Sequence, residues 1–400
     1  MKLFRLIGSF LLLVICGGAS AQVKPIPFDN YISNGSGLLN SRYVMATKKT
    51  ITIAFLGGSI TYNPGWRNAV GNYLKTKYPQ TKFRFIAAGI PSLGSLPHVF
   101  RLQRDVLDSG KVDLLFLEAA VNDQVNGTDS VTQVKSLEGI VRHARQSNPY
   151  MDIVMLSFAD PDKTRLYQQG QIPVSVANHA LVSGHYKLPH INLAKAVSDK
   201  LANKEFSWEK DFVDLHPSPF GQQLYFNPIK QLFDEEFSRV VKIYNYKKHR
   251  PVKELLNEGS FTKGSYLDIK NAILGSGWSY DANWKPIDHI GVRDGFVNVP
   301  MLVSTTAAAS LSIKFKGNAI GMAIVSGADA GIVEYSIDGG QKKQLDLFTQ
   351  WSNSLHLPWY VLFDNELAKG KHELKLTISS GKNKSSKGTA CRIVYFLVNN

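Results

Sequence analysis

Two cysteines in 400 residues is a low count, and one of them, Cys16, falls within the first 21 residues. A chain trimmed of that segment keeps only Cys391, so no internal disulfide can staple the fold and stability must come from a buried core. Long apolar runs are also missing. The stretch 6–15 is mostly apolar, but Gly17 and Gly18 end it after about ten residues, whereas a helical bilayer span needs roughly 20. No later stretch qualifies, so stable membrane insertion is not expected. Acidic residues are scarce beside basic ones, 32 against 46, for a formal charge of +14. Such a surplus attracts anionic partners. The lysines are scattered, however, and only Lys247-Lys248-His249-Arg250 forms a cluster, so a solvating surface is the simpler reading. Zinc-type Cys/His spacing, nucleotide-cradling glycine loops, nucleic-acid motifs and internal repeats are all absent from the sequence. No metal, cofactor or nucleic acid is therefore expected.

At the start of the chain stands an export pattern. Lys2 and Arg5 precede the apolar stretch and Ala19-Ser20-Ala21 supplies small residues before Gln22, so residues 1–21 read as a removed signal peptide of a periplasmic or secreted bacterial protein. Acylation at Cys16 would make a lipoprotein instead, but Ile15 stands where a small residue is expected.

With 44% hydrophobic and 20% charged residues the remainder can bury a full core, and its length favours two domains. Residues 22–49 read as an N-terminal extension. Over 50–246, strands are predicted at 51–57, 82–88, 112–119, 151–158 and 188–193, with helices near 66–78, 98–109, 130–147, 174–184 and 221–246. Continuous apolar runs such as Asp113-Leu114-Leu115-Phe116-Leu117 point to strands covered on both faces. The alternation predicts an α/β fold with a doubly wound, mostly parallel sheet, in which functional groups gather at the carboxyl ends of strands. After a linker at 247–259 the texture changes to short Thr/Ser/Val-rich runs with turn signals such as Asp338-Gly339-Gly340. Strands predicted at 311–315, 319–326, 332–337, 372–379 and 391–398 make residues 260–400 an all-β sandwich.

Four segments carry chemistry. Phe55-Leu56-Gly57-Gly58-Ser59-Ile60-Thr61 closes the first long strand, and its glycines allow a sharp turn that presents the Ser59 hydroxyl. Ala87-Ala88-Gly89-Ile90-Pro91-Ser92-Leu93-Gly94-Ser95 is a loop able to aim a backbone N–H at an oxyanion. Glu118-Ala119-Ala120-Val121-Asn122-Asp123 ends the third strand with an amide suited to be a second donor. Asp211-Phe212-Val213-Asp214-Leu215-His216-Pro217 precedes the last helix and offers a histidine with carboxylates two and five positions upstream, the makings of an oriented general base. Each alone is an ordinary turn or cap. Together they suit one cleft.

In this order the four segments resemble the four sequence blocks of the SGNH hydrolases, the GDSL-type esterases, over roughly residues 50–245. The resemblance implies a flavodoxin-like fold with Ser59 as nucleophile and His216 as its base. The oxyanion hole would be formed by the backbone N–H groups of Ser59 and Ser92 and the side-chain amide of Asn122. Ser92 stands where the family usually has glycine. Three further departures matter: Gly58 replaces the family's aspartate, Ala87 an asparagine, and Val213 occupies the position three before the histidine where the family places its acid. Asp214 or Asp211 would have to orient His216, or the pair works as a dyad; we take Asp214.

An exported esterase with an appended β-domain resembles enzymes that deacetylate polysaccharides, and the C-terminal pattern is similar to jelly-roll accessory domains of carbohydrate-active enzymes. This implies an acetylated oligo- or polysaccharide substrate. Trp278, Trp284, Trp351 and Trp359 are available for sugar stacking, although core packing is the commoner fate of tryptophan. A lipid or thioester acyl hydrolase, or a glycan-binding protein with reduced catalysis, are the alternatives. A β-domain loop over 351–359 is a candidate to close over the cleft. The sugar, the ester position and the oligomeric state are not legible.

Overall fold

The computed structural model describes residues 23–242 and 246–400; the signal-peptide assignment and Cys16 lie outside them. Apolar side chains on both faces of the central strands dictate the layering of the first domain. Its strands are β1 (Ile32–Ser33), β2 (Thr50–Gly57), β3 (Lys82–Gly89), β4 (Leu114–Glu118), β5 (Asp152–Leu156) and β6 (His190–Ile191), in the order β1-β6-β5-β4-β2-β3. All pairs are parallel except β1 with β6. Helices α1 (Leu39–Tyr43), α2 (Ser59–Tyr62), α3 (Trp66–Lys77), α4 (Ser95–Asp105), α5 (Ala120–Val125), α6 (Ser130–Ser147), α7 (Pro161–Gln168), α8 (Val174–Tyr186), α9 (Leu193–Ala202) and α10 (Pro219–Ser238) connect and cover them. Ile53, Phe55, Leu114, Phe116, Val154 and Leu156 face one way, onto Trp66, Leu74, Phe226 and Phe233 of α3 and α10. Their neighbours Ala54, Leu56, Leu115, Leu117, Ile153 and Met155 face the other way, onto Leu102, Leu137, Val141 and Val182 of α4, α6 and α8. The period of two along each strand thus fills two separate cores.

The second domain is an all-β sandwich. Strands β7 (Gly264–Leu267), β8 (Ile273–Leu274), β9 (Ser279–Trp284), β10 (Gly291–Val292), β11 (Val299–Ser304), β12 (Ser310–Gly317), β13 (Ile320–Ser326), β14 (Ile332–Ile337), β15 (Lys343–Asp346), β16 (Leu355–Asp364), β17 (Gly370–Ile378) and β18 (Cys391–Asn399) form two sheets. One runs β10-β16-β13-β18-β11-β9 with β7 beside β18, the other β15-β14-β17-β12-β8. Pairing is antiparallel apart from β10 with β16. Leu311, Ile313, Leu374 and Leu376 of one sheet meet Met322, Ile324, Ile393 and Phe396 of the other. Among the described residues no helix is long and apolar enough to cross a membrane.

Several elements differ from the sequence expectation. Helix α7 was not expected, because the side chains it buries, Lys163 and Thr164, are polar and leave no apolar stripe. Its start is nevertheless set by the Asp160 cap and Pro161. The predicted strand at 188–193 shrinks to two residues because Asn192 caps α9. Helix α10 stops at Ser238, where Arg239 turns extended, rather than at 246. Residues 23–49 are built into the domain: β1 adds an edge strand, and Leu38 and Ser41 donate backbone N–H groups to buried Glu236 and Asp152 at 2.9 and 2.7 Å.

The domains share a continuous core, in which Val99 and Phe100 of α4 pack with Phe261, Phe296, Tyr360 and Leu397. The linker is held by Glu138, whose fully buried carboxylate accepts the backbone N–H groups of Leu256 (2.9 Å) and Asn257 (3.0 Å) and the hydroxyls of Ser260 (2.5 Å) and Tyr186 (2.6 Å). Burial alone would raise its pKa, but these donors hold it below the ordinary value. An unfolded state that binds the proton more readily makes stability rise with pH. The contribution is complete above the unfolded pKa and is lost as pH falls through the lower, folded one. Glu138→Gln is expected to lower the unfolding free energy by about 2–4 kcal/mol at pH 7. Urea unfolding should show that deficit shrinking at pH 3.

Candidate active site

The carboxyl ends of β2, β3 and β4 open toward one side, as a parallel sheet requires, and the first three chemistry-bearing segments lie there. At the end of β2 the chain turns through Gly57 and Gly58 into α2, with Ser59 as its first residue. Gly58 has no room for a side chain, since a Cβ there would lie 2.1 Å from Asn122 Oδ1. A side chain at this position, such as the aspartate of the resembled family, would require the Asn122 amide to shift.

The turn after β4 binds the loops to one another. Glu118, fully buried, accepts the Val121 N–H at 3.3 Å and faces the Gly58 N–H. Asp123, also buried, accepts both the N–H (2.7 Å) and the hydroxyl (2.9 Å) of Ser95, which fixes the far end of the Ser92 loop. Burial raises both carboxyls to about 7, against the opposing pull of these donors and of the buried Lys163 ammonium. Asn122 sits between them, and its amide makes no hydrogen bond to protein groups among the described residues, so it is free to donate into the cleft. Behind the loops Arg101, itself fully buried, donates to the carbonyls of Gly57 (3.2 Å) and Ala88 (2.6 Å), clamping the ends of β2 and β3. Its Nε donates to His98 Nδ1, so the His98 proton sits on Nε2 and is donated to the Glu118 carbonyl.

His216 comes from the loop before α10. Its Nε2 lies 2.8 Å from Ser59 Oγ. Ser218 caps α10 and its N–H returns to the Phe212 carbonyl at 2.9 Å, closing the loop that carries the histidine. The structure brings Ser59, His216, Ser92 and Asn122 to one cleft, but it does not bring Asp214 to His216. Asp214 is exposed and its carboxylate accepts the N–H of its own neighbour Leu215 at 2.5 Å. Asp211 is occupied by the Ser207 N–H at 2.7 Å. Nδ1 of His216 has no protein partner among the described residues.

Glu118 and Arg101 were not singled out from the sequence, and the Asp123 carboxylate, beside Asn122, suggested at most a turn cap. Arg101 falls inside an apolar helix stretch, and a charge there, next to His98, was the available signal. Of the four tryptophans, Trp278 and Trp284 are buried and Trp351 is 40% exposed. Trp359 is half-buried beside Ser92, Leu93, Asn126 and Asp129, in an interdomain cavity of about 300 Å³.

Val213 adopts φ +77° and ψ −56°, with the Asp214 N–H reaching the Phe212 carbonyl at 3.1 Å in a tight three-residue turn. A β-branched residue is strained there, and its side chain is 56% exposed, so packing offsets little of the strain. Val213→Gly is expected to raise the unfolding free energy by about 0.5–1 kcal/mol, relief of strain exceeding the entropic penalty of glycine. Thermal unfolding of the variant checks this.

Residues 55–224 match the GDSL-like Lipase/Acylhydrolase family. No curated protein matches the sequence. Among solved structures, the chain is similar to a two-domain esterase (CEX) active on acetylated mannans, co-crystallised with mannopentaose. The identity is 20%, with 94% of this chain and 99% of that one covered and a TM-score of 0.76. The same esterase without the oligosaccharide gives 19% identity, coverage of 93% and 98%, and a TM-score of 0.76. An acetyl xylan esterase from Geobacillus stearothermophilus matches 48% of this chain and 97% of its own at 17% identity, with a TM-score of 0.38. The family match thus falls within the α/β domain, which is followed in this chain by a C-terminal all-β domain.

Proposed function

We propose that the protein is an exported serine esterase that removes O-acetyl groups from a carbohydrate. The observation that carries this is the 2.8 Å contact of His216 Nε2 with Ser59 Oγ at the mouth of the parallel sheet. The overall likeness to an esterase active on acetylated mannans supports the substrate class. Export rests on the pattern of residues 1–21.

In this reading His216 takes the Ser59 proton as Oγ attacks the acetyl carbonyl. Charge then develops on the carbonyl oxygen, where the Ser59 and Ser92 backbone N–H groups and the Asn122 amide are the donors. Each such donor is worth about 2.7–4 kcal/mol of transition-state stabilisation. Collapse of the tetrahedral intermediate breaks the bond to the sugar oxygen, which leaves as a hydroxyl by taking the proton that His216 had accepted from Ser59. Water, deprotonated by the same imidazole, then frees acetate from Ser59. Nothing beyond water is consumed. Without a carboxylate on Nδ1 the pair acts as a dyad in which solvent, rather than an acid, faces the second nitrogen. Asp214, the acid taken from the sequence, has its carboxylate turned to backbone instead.

Acetate release from acetylated mannan and from p-nitrophenyl acetate tests the assignment. Ser59→Ala and His216→Ala are each expected to lower kcat by roughly 10⁴-fold or more. Asp214→Asn should stay within about threefold of wild type, because its carboxylate bonds to backbone. A wild type inert on every ester, yet able to bind the glycan, would instead support a binding protein.

A further inference from the structure

The connection from β9 to β11 belongs to the sandwich but reaches the cleft of the other domain. It is held along its length. Asp288 accepts from Nε2 of buried His356 at 2.9 and 3.0 Å. Gly291 and Val292, which form β10, pair with Leu355 and His356 of β16. Phe296 is buried in the cluster that contains Leu93, Leu96 and Tyr360. Between these anchors stand Arg293 and Asp294. Arg293 Nε–H donates to Ser92 Oγ at 3.4 Å. Asp294 Oδ2 accepts from the hydroxyl of Tyr62 at 2.5 Å. Tyr62 is the last residue of α2 and Ser59 the first, so two adjacent side chains of the sandwich touch the nucleophile's own helix and the loop opposite it.

Ser92 occupies φ +71°, a region that disfavours any residue with a Cβ. The position needs a left-handed conformation that glycine would adopt freely, yet this chain places a hydroxyl there. That hydroxyl gives Arg293 its acceptor. On the other side the Ser92 carbonyl accepts from Asn126 Nδ2 at 2.9 Å. Ser92 is therefore gripped at its side chain by one domain and at its carbonyl by the other.

We propose that Arg293 is a positioning residue which, through the Ser92 hydroxyl, aims the Ser92 N–H at the oxyanion, so that the β-sandwich completes the oxyanion hole of the α/β domain. This rests on the esterase reading above. An oxyanion donor acts only within a few tenths of an ångström of its proper place. A loop freed on one side keeps the donor but lets it drift, which lowers turnover while leaving substrate binding nearly unchanged.

A double-mutant cycle in the full-length protein, with p-nitrophenyl acetate as a substrate too small to need a glycan subsite, tests the proposal. Arg293→Met is expected to reduce kcat about tenfold with KM within twofold, and to slow covalent labelling of Ser59 by a fluorophosphonate in parallel. In a Ser92→Gly background the same substitution should change kcat less than twofold. Arg293→Gln, which keeps a donor, should recover most of the loss. Unchanged unfolding midpoints would establish that the fold is intact. An equal loss in both backgrounds, a change confined to KM, or no loss at all would overturn the proposal. Failure of the esterase reading has a different signature: wild type itself would neither turn over the ester nor be labelled at Ser59, whatever residue stands at 293.

Discussion

Glu118 and Asp123 lie buried at the end of β4, and each uses its hydrogen-bonding capacity on the backbone of a different loop. Glu118 faces the turn before Ser59 and receives the N–H that precedes Asn122. Asp123 receives two donors from Ser95, at the end of the Ser92 loop. A site assembled from four separate segments needs them registered to a fraction of an ångström, and short loops at strand ends do not hold such register on their own. Buried carboxylates can, because leaving any of their backbone donors unpaired in a low-dielectric interior costs about 1–3 kcal/mol each. The rest of the cleft depends on this turn. The same burial lifts both carboxyls to about 7 and leaves Asp123 Oδ2 without a partner. Rigidity at the loops is thus obtained by placing two reluctant acids close to one buried lysine.

The proposed base is held differently. His216 reaches Ser59 from a loop that closes on itself through Ser218 and Phe212, next to a strained turn at Val213. Orientation of the imidazole therefore comes from backbone closure and from the serine itself rather than from an acid on Nδ1. In the proposed mechanism the site thus has a nucleophile, a base and three oxyanion donors, with loop geometry in place of an acid on the imidazole.

Between the domains the apolar cluster is continuous, and polar ties are made at its edges. Glu138 binds the linker backbone, Arg104 lies over the rings of Tyr266 and Tyr395, and Lys135 reaches Asn365 and Glu366 at 3.1 and 3.2 Å. The second domain is consequently a fixed wall. The β9–β11 connection therefore meets the Ser92 loop as one packed surface meets another.

Much of this was legible from local pattern. Doubly apolar strands and a change to short β runs after about 250 follow from periodicity, because strand burial and strand-end turns leave signatures within ten residues, whereas Ser59, Ser92, Asn122 and His216 were picked out by the resemblance of their four segments to the SGNH blocks. Helix α7 escaped, since a helix that buries Lys163 and Thr164 has no apolar stripe. The connection of Asp214 to His216 was read from proximity along the chain, and the fold turned that carboxylate onto its own backbone instead. By itself the sequence determined the α/β and all-β architecture and pointed to the four segments in which the proposed nucleophile, base and donors lie. Only the tertiary structure decided that Glu118 and Asp123 hold the loops, that no carboxylate bonds to His216, and that Arg293 meets Ser92, because the contacts of Asp123 with Ser95, Glu118 with Gly58 and Arg293 with Ser92 join residues 28, 60 and 201 positions apart, beyond the reach of local spacing.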